Sequence, residues 1–178
     1  SPAPWKKSKA KGGEPGRPRN VYAGIAIEDV CAHSEGLFAL VHLDHDAELV
    51  LPLVKEAFGD RASIALTRHL VGDDRERAKR ALEAEKKYGI PIVAVNRVRY
   101  ADADDKPLLD VVHCSREGLT IDRAGRSLQP NSEACLKSSD DMKELFSSLP
   151  RAIARTRKIA DACTFRLDEL KYRFPCEL

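Results

Sequence analysis

The sequence predicts an α/β fold built around a parallel sheet. The first observation is the order of the patterns, because three short apolar runs alternate with two segments of helical periodicity. The second is residues 90–100, an apolar run that ends in polar residues and is typical of a buried strand reaching the edge of a sheet. Three strands and two helices are too few to close a barrel, so we expect half of a larger α/β unit.

The first half of the chain supplies these elements in order. Residues 37–42 and residues 63–69 are short apolar runs that predict the first two strands. Apolar residues recur at helical spacing between them, with Pro52 near the start of the helix and Gly59 at its end. A charged helix is predicted over residues 73–88, directly before the third strand.

The second half is predicted to be mostly helical. Residues 102–114 form a candidate helix, and residues 115–137 are rich in turn formers. Ser138 and Asp141 then make the start of a capping box, followed by apolar residues at positions i, i+3, i+4 and i+7. Pro150 suits the first turn of a further helix.

The amino terminus differs from the rest of the chain in charge and composition. Residues 1–20 hold six lysines and arginines and one glutamate, a formal charge of +5 against +2 for the whole chain. The same residues include seven prolines and glycines, which predicts a disordered basic linker. An electrostatic contact with nucleic acid is the alternative interpretation.

The composition predicts a cytoplasmic protein without a membrane segment. No apolar run approaches the ~20 residues that a membrane helix requires, and no apolar segment follows the first lysines as in a secretory signal. The five cysteines are odd in number and widely spaced, with no Cys-x-x-Cys pair. This pattern predicts reduced thiols rather than a disulfide framework.

Arg97 and Arg99 are the leading candidate binding residues. They lie two positions apart, so on an extended strand they share one face at the carboxyl end of the sheet, where α/β folds place their chemistry. Arginine offers only hydrogen-bond donors and stays charged, which favours a phosphate or a DNA backbone over a metal ion. The alternative is ion pairing with the nearby Asp102, Asp104 or Asp105.

Histidines and aspartates provide weaker candidates. His42, Asp44, His45 and Asp46 form a dense cluster of possible metal ligands, although they also fit a loop in which Asp46 caps the next helix. His69 ends the second predicted strand and is expected to face the same end of the sheet as the two arginines, in either a structural or a functional role.

The other sequence patterns indicate no specific chemistry. His113 and Cys114 are adjacent in a predicted helix, and adjacency alone is weak support for a Cys–His nucleophile. No phosphate-binding loop of the Walker type and no glycine-rich dinucleotide fingerprint occurs. No pair of acidic residues stands out as a two-metal polymerase site.

The chain resembles the bacterial C-family DNA polymerases, of the polymerase III alpha-subunit type and its error-prone branch. The resemblance runs from about residue 35 to the end of the chain. The pieces that carry it are FGDR at 58–61, RHLVGDDR at 68–75, IVAVN at 92–96, residues 115–146, residues 150–165 and LDELKY at 167–172.

The resemblance implies the later half of a polymerase-and-histidinol-phosphatase (PHP) domain. It predicts a partial PHP-type distorted (β/α) barrel over residues 21–115, after a linker at 1–20, and a mostly helical lead into the polymerase core over 116–178. In that family, His69 matches a metal-ligand histidine, whereas Arg97 and Arg99 replace a ligand aspartate and histidine and cannot ligate a metal.

The resemblance also implies a function by descent. We expect a fragment of an error-prone DNA polymerase, a nucleotidyltransferase of DNA replication and translesion synthesis after DNA damage, in which this segment is a non-catalytic scaffold. We expect no catalytic residue, no cofactor and no metal in the segment. The expected partners are DNA and the remaining polymerase domains or other repair-polymerase subunits. The alternatives are a metal-dependent phosphoesterase of the PHP class and a small interaction module.

Overall fold

The computed structural model describes residues 24–170, and its sheet has three parallel strands. They are β1 (Ala39–His42), β2 (Ala62–Thr67) and β3 (Ile92–Val95), in the spatial order β1-β2-β3. The α/β class and the parallel strands are therefore confirmed. The sheet of the described residues is open rather than closed into a barrel.

Helices follow each strand and fill the second half of the described residues. They are α1 (Ile27–Ala32), α2 (Leu51–Phe58), α3 (Asp74–Tyr88), α4 (Lys106–Glu117), α5 (Ile121–Ala124), α6 (Ser139–Leu145) and α7 (Pro150–Ala162). The predicted basic linker at residues 1–20 and the last residues, 171–178, lie outside the described part of the chain.

The helix ends agree with the signals in the sequence. Helix α2 begins one residue before Pro52, and Gly59 follows it with a φ of 56°. Helix α3 ends before Gly89, which takes the left-handed conformation that glycine adopts without steric cost. The Ser138 side chain accepts a hydrogen bond from the Asp141 backbone and the Asp141 side chain accepts one from Ser138, so the predicted capping box is confirmed.

Strand β2 is the centre of the core, because all six of its residues are buried. Helix α3 packs against β2, and α7 packs against β3. Burial on both faces explains why this strand reads as a continuous apolar run rather than an alternating one. The polar Ser63 on β2 is fully buried and accepts a hydrogen bond from Arg155 Nε of α7 at 3.0 Å.

The carboxyl-terminal helices complete the core of the sheet. Phe146 is fully buried and belongs to the same apolar cluster as Ile64 and Ile92 of the strands. Arg68, just after β2, donates to the Leu145 carbonyl at 2.8 Å and its guanidinium lies 5.0 Å from the Phe146 ring centre. The division of the chain at residues 115 and 116 stays a prediction.

The helices of the described residues are too short or too polar to cross a membrane.

The shared core makes a testable prediction about Phe146. We expect Phe146→Ala to lower the free energy of unfolding of the whole chain by about 3–5 kcal/mol, because it leaves a cavity under the sheet. Phe165→Ala is the matched control, since that ring is 64% exposed and its loss should cost little. Urea denaturation followed by circular dichroism measures both. A Phe146 variant as stable as the Phe165 variant would contradict the shared core.

Candidate anion-binding site

Strand β3 ends earlier in the chain than the sequence predicts. The strand ends at Val95, and Arg97 adopts a φ of 49°, in the left-handed region that side chains other than glycine rarely occupy. The expectation that Arg97 and Arg99 share a strand face is therefore wrong. The left-handed residue turns the backbone out of the pleat, so strand periodicity does not apply to this pair.

Hydrogen bonds from the backbone and from the Asn96 side chain join this loop to a distant segment. The Arg99 backbone N–H donates to the Ala134 carbonyl at 2.8 Å, and Tyr100 forms an isolated parallel bridge with Cys135. The Asn96 side chain donates to the Cys135 carbonyl at 2.5 Å. Residues 96–100 thus pair with the segment before α6 instead of extending the sheet.

This arrangement creates a cleft of about 440 Å³ at the carboxyl ends of β2 and β3. Four arginines lie in its walls, and we call it the arginine cleft: Arg77, Arg97, Arg99 and Arg126. A single carboxylate, that of Asp73, lies among the lining residues. Arg97 and Arg99 do converge on one site, although through the loop rather than through a strand face.

Two of the four arginines are paired with carboxylates. Arg77 contacts Asp73 and Asp74 at 2.8 and 2.9 Å, and Arg97 contacts Asp44 at 2.9 Å. The expected partners of Arg97, the aspartates just downstream, are used differently, since Asp102 and Asp105 form a capping box at the turn before α4. The ion pair of Arg97 reaches across the sheet to the end of β1.

The other two arginines leave the cleft with uncompensated positive charge. Arg99 and Arg126 are exposed, and within the described part of the chain no carboxylate lies within 4.0 Å of either guanidinium. A site with fixed donors and an excess of positive charge attracts anions.

His69 lies in the same cleft, as the sequence predicts. Its Nε2 is 2.6 Å from the Asn96 carbonyl oxygen, so this nitrogen carries the hydrogen and donates it. The His69 backbone N–H donates to the Asp74 carboxylate at 2.9 Å, and its carbonyl accepts from the Asn131 side chain at 2.5 Å. These contacts fix the loop after β2 and leave only Nδ1 of the ring for another partner.

The cluster around His42 is a structural junction in the described residues. A short 3-10 helix starts at His45 with Asp44 as its N-cap, so the prediction that Asp46 caps the helix is wrong by two residues. Burial lowers the pKa of the His42 imidazole, the charge of Arg97 lowers it further, and the Asp44 carboxylate opposes both effects. No group of three or more metal-ligating side chains occurs within the described residues.

His113 and Cys114 do not face one another. Cys114 is buried at 4% exposure on α4, as expected of neighbouring helical positions that point in different directions. His113 lines a smaller cavity of about 120 Å³ that shares Arg99 with the arginine cleft, and its Nε2 is buried without a hydrogen-bond partner among the described residues. The cysteines of the described part are free thiols.

Sequence reasoning missed three members of the site, namely Thr67, Arg77 and Arg126. Thr67 lies at the end of β2, is 5% exposed, and its hydroxyl has no hydrogen-bond partner in the described part of the chain. Arg126 comes from the turn-rich segment, 29 positions beyond Arg97, and no local pattern links the two. Only the fold of the loop before α6 brings them together.

The chain is similar to error-prone DNA polymerases from several bacteria. The chain is 38% identical over 163 residues to an error-prone DNA polymerase of Anaeromyxobacter dehalogenans strain 2CP-1, and 35% identical over 158 residues to one of Bradyrhizobium diazoefficiens. These matches cover 92% and 86% of this chain. The chain is homologous to a segment of the error-prone DNA polymerases.

The matched segment is a small part of each polymerase. It spans 14% of the length of both relatives, and 14% of an error-prone DNA polymerase 2 of Rhizobium meliloti that is 32% identical over 156 residues. No protein-family model matches the chain.

The junction at His42 predicts a pH dependence of stability. Its pKa is lower in the folded chain than the ~6.5 of an unperturbed histidine, so the unfolded chain binds the proton more tightly. Stability should therefore fall as the pH drops below that unfolded value, and His42→Gln should reduce this fall. His33→Gln, at an exposed histidine, is the control. The test is to measure the free energy of unfolding in urea at pH 7.5 and at pH 5.5. If the difference between the two pH values is the same in the His42 variant as in the parent chain, His42 is not the source of the pH dependence.

Proposed function

We propose that this segment is a metal-free, PHP-type scaffold within an error-prone DNA polymerase. Its similarity to these polymerases supports the parent family. The observation that carries the proposal is the charge at the carboxyl end of the sheet, where Arg97 and Arg99 line the cleft at positions that match metal ligands in the resembled family. The open parallel sheet is compatible with part of a distorted barrel.

The residues of the arginine cleft do not fit a metal cluster. A guanidinium group has no lone pair to give a metal ion and keeps its charge, so Arg97 and Arg99 would repel a divalent cation at close range. The one histidine at this end of the sheet that matches a ligand position, His69, donates its Nε2 hydrogen to a backbone carbonyl. We therefore assign no reaction step to this cleft.

The parent reaction belongs to parts of the polymerase beyond this chain. Nucleotidyl transfer during damage-tolerant DNA synthesis needs carboxylates that hold two metal ions, and the described residues contain no such group. The contribution of this segment is structural. Helix α4 exposes an apolar stripe, Leu108, Val111 and Val112, which suits packing against another domain of the polymerase. We also propose a cytoplasmic location, with which the free thiols of the described residues are compatible.

The test of this proposal is metal content together with phosphoesterase activity. After treatment with a chelator and dialysis against Zn²⁺ or Mn²⁺, we expect well under one equivalent of metal by elemental analysis, because the arginines oppose cation binding. We also expect no metal-dependent hydrolysis of bis(4-nitrophenyl) phosphate above the buffer rate. Two or more tightly held ions with such hydrolysis would instead support the phosphoesterase of the PHP class. A metal-free, inactive chain whose binding to polymerase or DNA is lost when residues 1–20 are deleted would favour the small interaction module.

A further inference from the structure

We propose that the arginine cleft is a receptor for a phosphate group, which guanidinium and hydroxyl donors bind without a metal ion. This inference rests on the proposed function in one respect, that the cleft holds no metal. The ligand chemistry is a phosphate oxyanion, supplied either by a free or terminal phosphate or by a phosphodiester of a DNA strand.

The charge balance of the cleft favours an anionic ligand. Arg99 and Arg126 face no carboxylate within 4.0 Å in the described part of the chain, so both guanidinium groups are available to a ligand. They come from different segments of the chain and line the same cleft. Planar guanidinium groups bind phosphate oxygens through paired hydrogen bonds, and two of them on one group favour a dianion.

The two paired arginines provide donors that are oriented before a ligand binds. Arg97 is held by Asp44 at 2.9 Å, and Arg77 is held by Asp73 at 2.8 Å and Asp74 at 2.9 Å, which orients both guanidinium groups before a ligand arrives. Asp73 is the one of these three carboxylates that lines the cleft. A receptor with fixed donors loses less conformational entropy on binding than one with free side chains. The left-handed backbone of Arg97, with its φ of 49°, is strain of the kind that is found at binding sites.

An unpartnered buried hydroxyl is a third observation that favours a ligand. Thr67 lines the arginine cleft and is only 5% exposed. Its Oγ1 makes no hydrogen bond in the described residues. Buried polar groups are nearly always paired, so an orphan in the wall of a cleft indicates a missing acceptor or donor.

The size and continuation of the cleft indicate more than a lone phosphate. A volume of about 440 Å³ falls in the range of sites for ligands that carry a ring or a chain beside the charged group. The smaller cavity beyond Arg99 adds Arg116, which pairs with Glu117, and His113, whose Nε2 has no hydrogen-bond partner among the described residues. A phosphate that belongs to a nucleotide or a strand end therefore fits the space better than an inorganic ion alone.

The experiment measures phosphate binding to the full chain in the presence of a chelator. The probes are inorganic phosphate, by isothermal titration calorimetry, and one fluorescent single-stranded oligonucleotide with either a 5′-phosphate or a 5′-hydroxyl, by anisotropy. We expect Arg99→Ala with Arg126→Ala to weaken phosphate binding by about tenfold or more, because two charge-assisted hydrogen bonds are lost. The matched control is Arg75→Ala with Arg123→Ala, which removes the same charge from exposed positions outside the cleft.

Thr67→Val separates binding from folding. Without ligand the variant should be at least as stable as the parent chain, because it removes an unsatisfied hydroxyl while keeping the shape of the side chain. With phosphate its affinity should fall by roughly threefold to tenfold, the effect of one neutral hydrogen bond. An unchanged affinity would remove the hydroxyl contact from the proposal.

The oligonucleotide pair distinguishes the phosphate source. Tighter binding of the 5′-phosphate form supports a terminal phosphate, and equal, cleft-dependent binding of both forms supports a phosphodiester. Equal affinity of the cleft double variant and the control double variant for every probe would overturn the inference while leaving the scaffold proposal intact. Phosphate binding that appears only when Zn²⁺ or Mn²⁺ replaces the chelator would overturn both.

Discussion

The loop after β3 is fixed to the segment before α6, and the candidate site depends on that contact. The bonds from Arg99 to Ala134 and from Asn96 to Cys135 hold the loop that carries Arg97 and Arg99 away from the sheet. The same segment carries Asn131, whose side chain holds the His69 carbonyl. One set of hydrogen bonds with residues 131–135 therefore positions the loops that follow two neighbouring strands.

The proposed anion site depends on the charge of the side chains at the end of the parallel sheet. Histidines and carboxylates at such a position bind metals, whereas arginines at the same position bind anions. Here Asp44, Asp73 and Asp74 pair with two of the four arginines, so these seven groups together carry a net charge of +1. Arg99 and Arg126 have no carboxylate partner among the described residues. The ion pair between Arg97 and Asp44 is half-exposed, so its main effect is orientation rather than stability.

Much of the fold follows from local signals, and most of the site does not. Pro52, Gly59, Gly89 and the capping box at Ser138 are short-range features whose physics lies within a few residues, and each appears where the sequence predicts. The end of β3 could not be predicted because long-range pairing with residues 134–135 outweighs the strand pattern. The inclusion of Arg126 depends on that same pairing.

The central claim is that the carboxyl end of this sheet is an anion site and not a metal centre. Its most direct test is a set of ¹H–¹⁵N correlation spectra of the labelled chain, including the arginine Nε groups, with inorganic phosphate added to one sample and Mn²⁺ to another. We predict that phosphate shifts the Nε signals of Arg99 and Arg126, while Mn²⁺ leaves the amides of Thr67 and His69 sharp. Broadening of those amides by stoichiometric Mn²⁺, with no response to phosphate, would contradict the account.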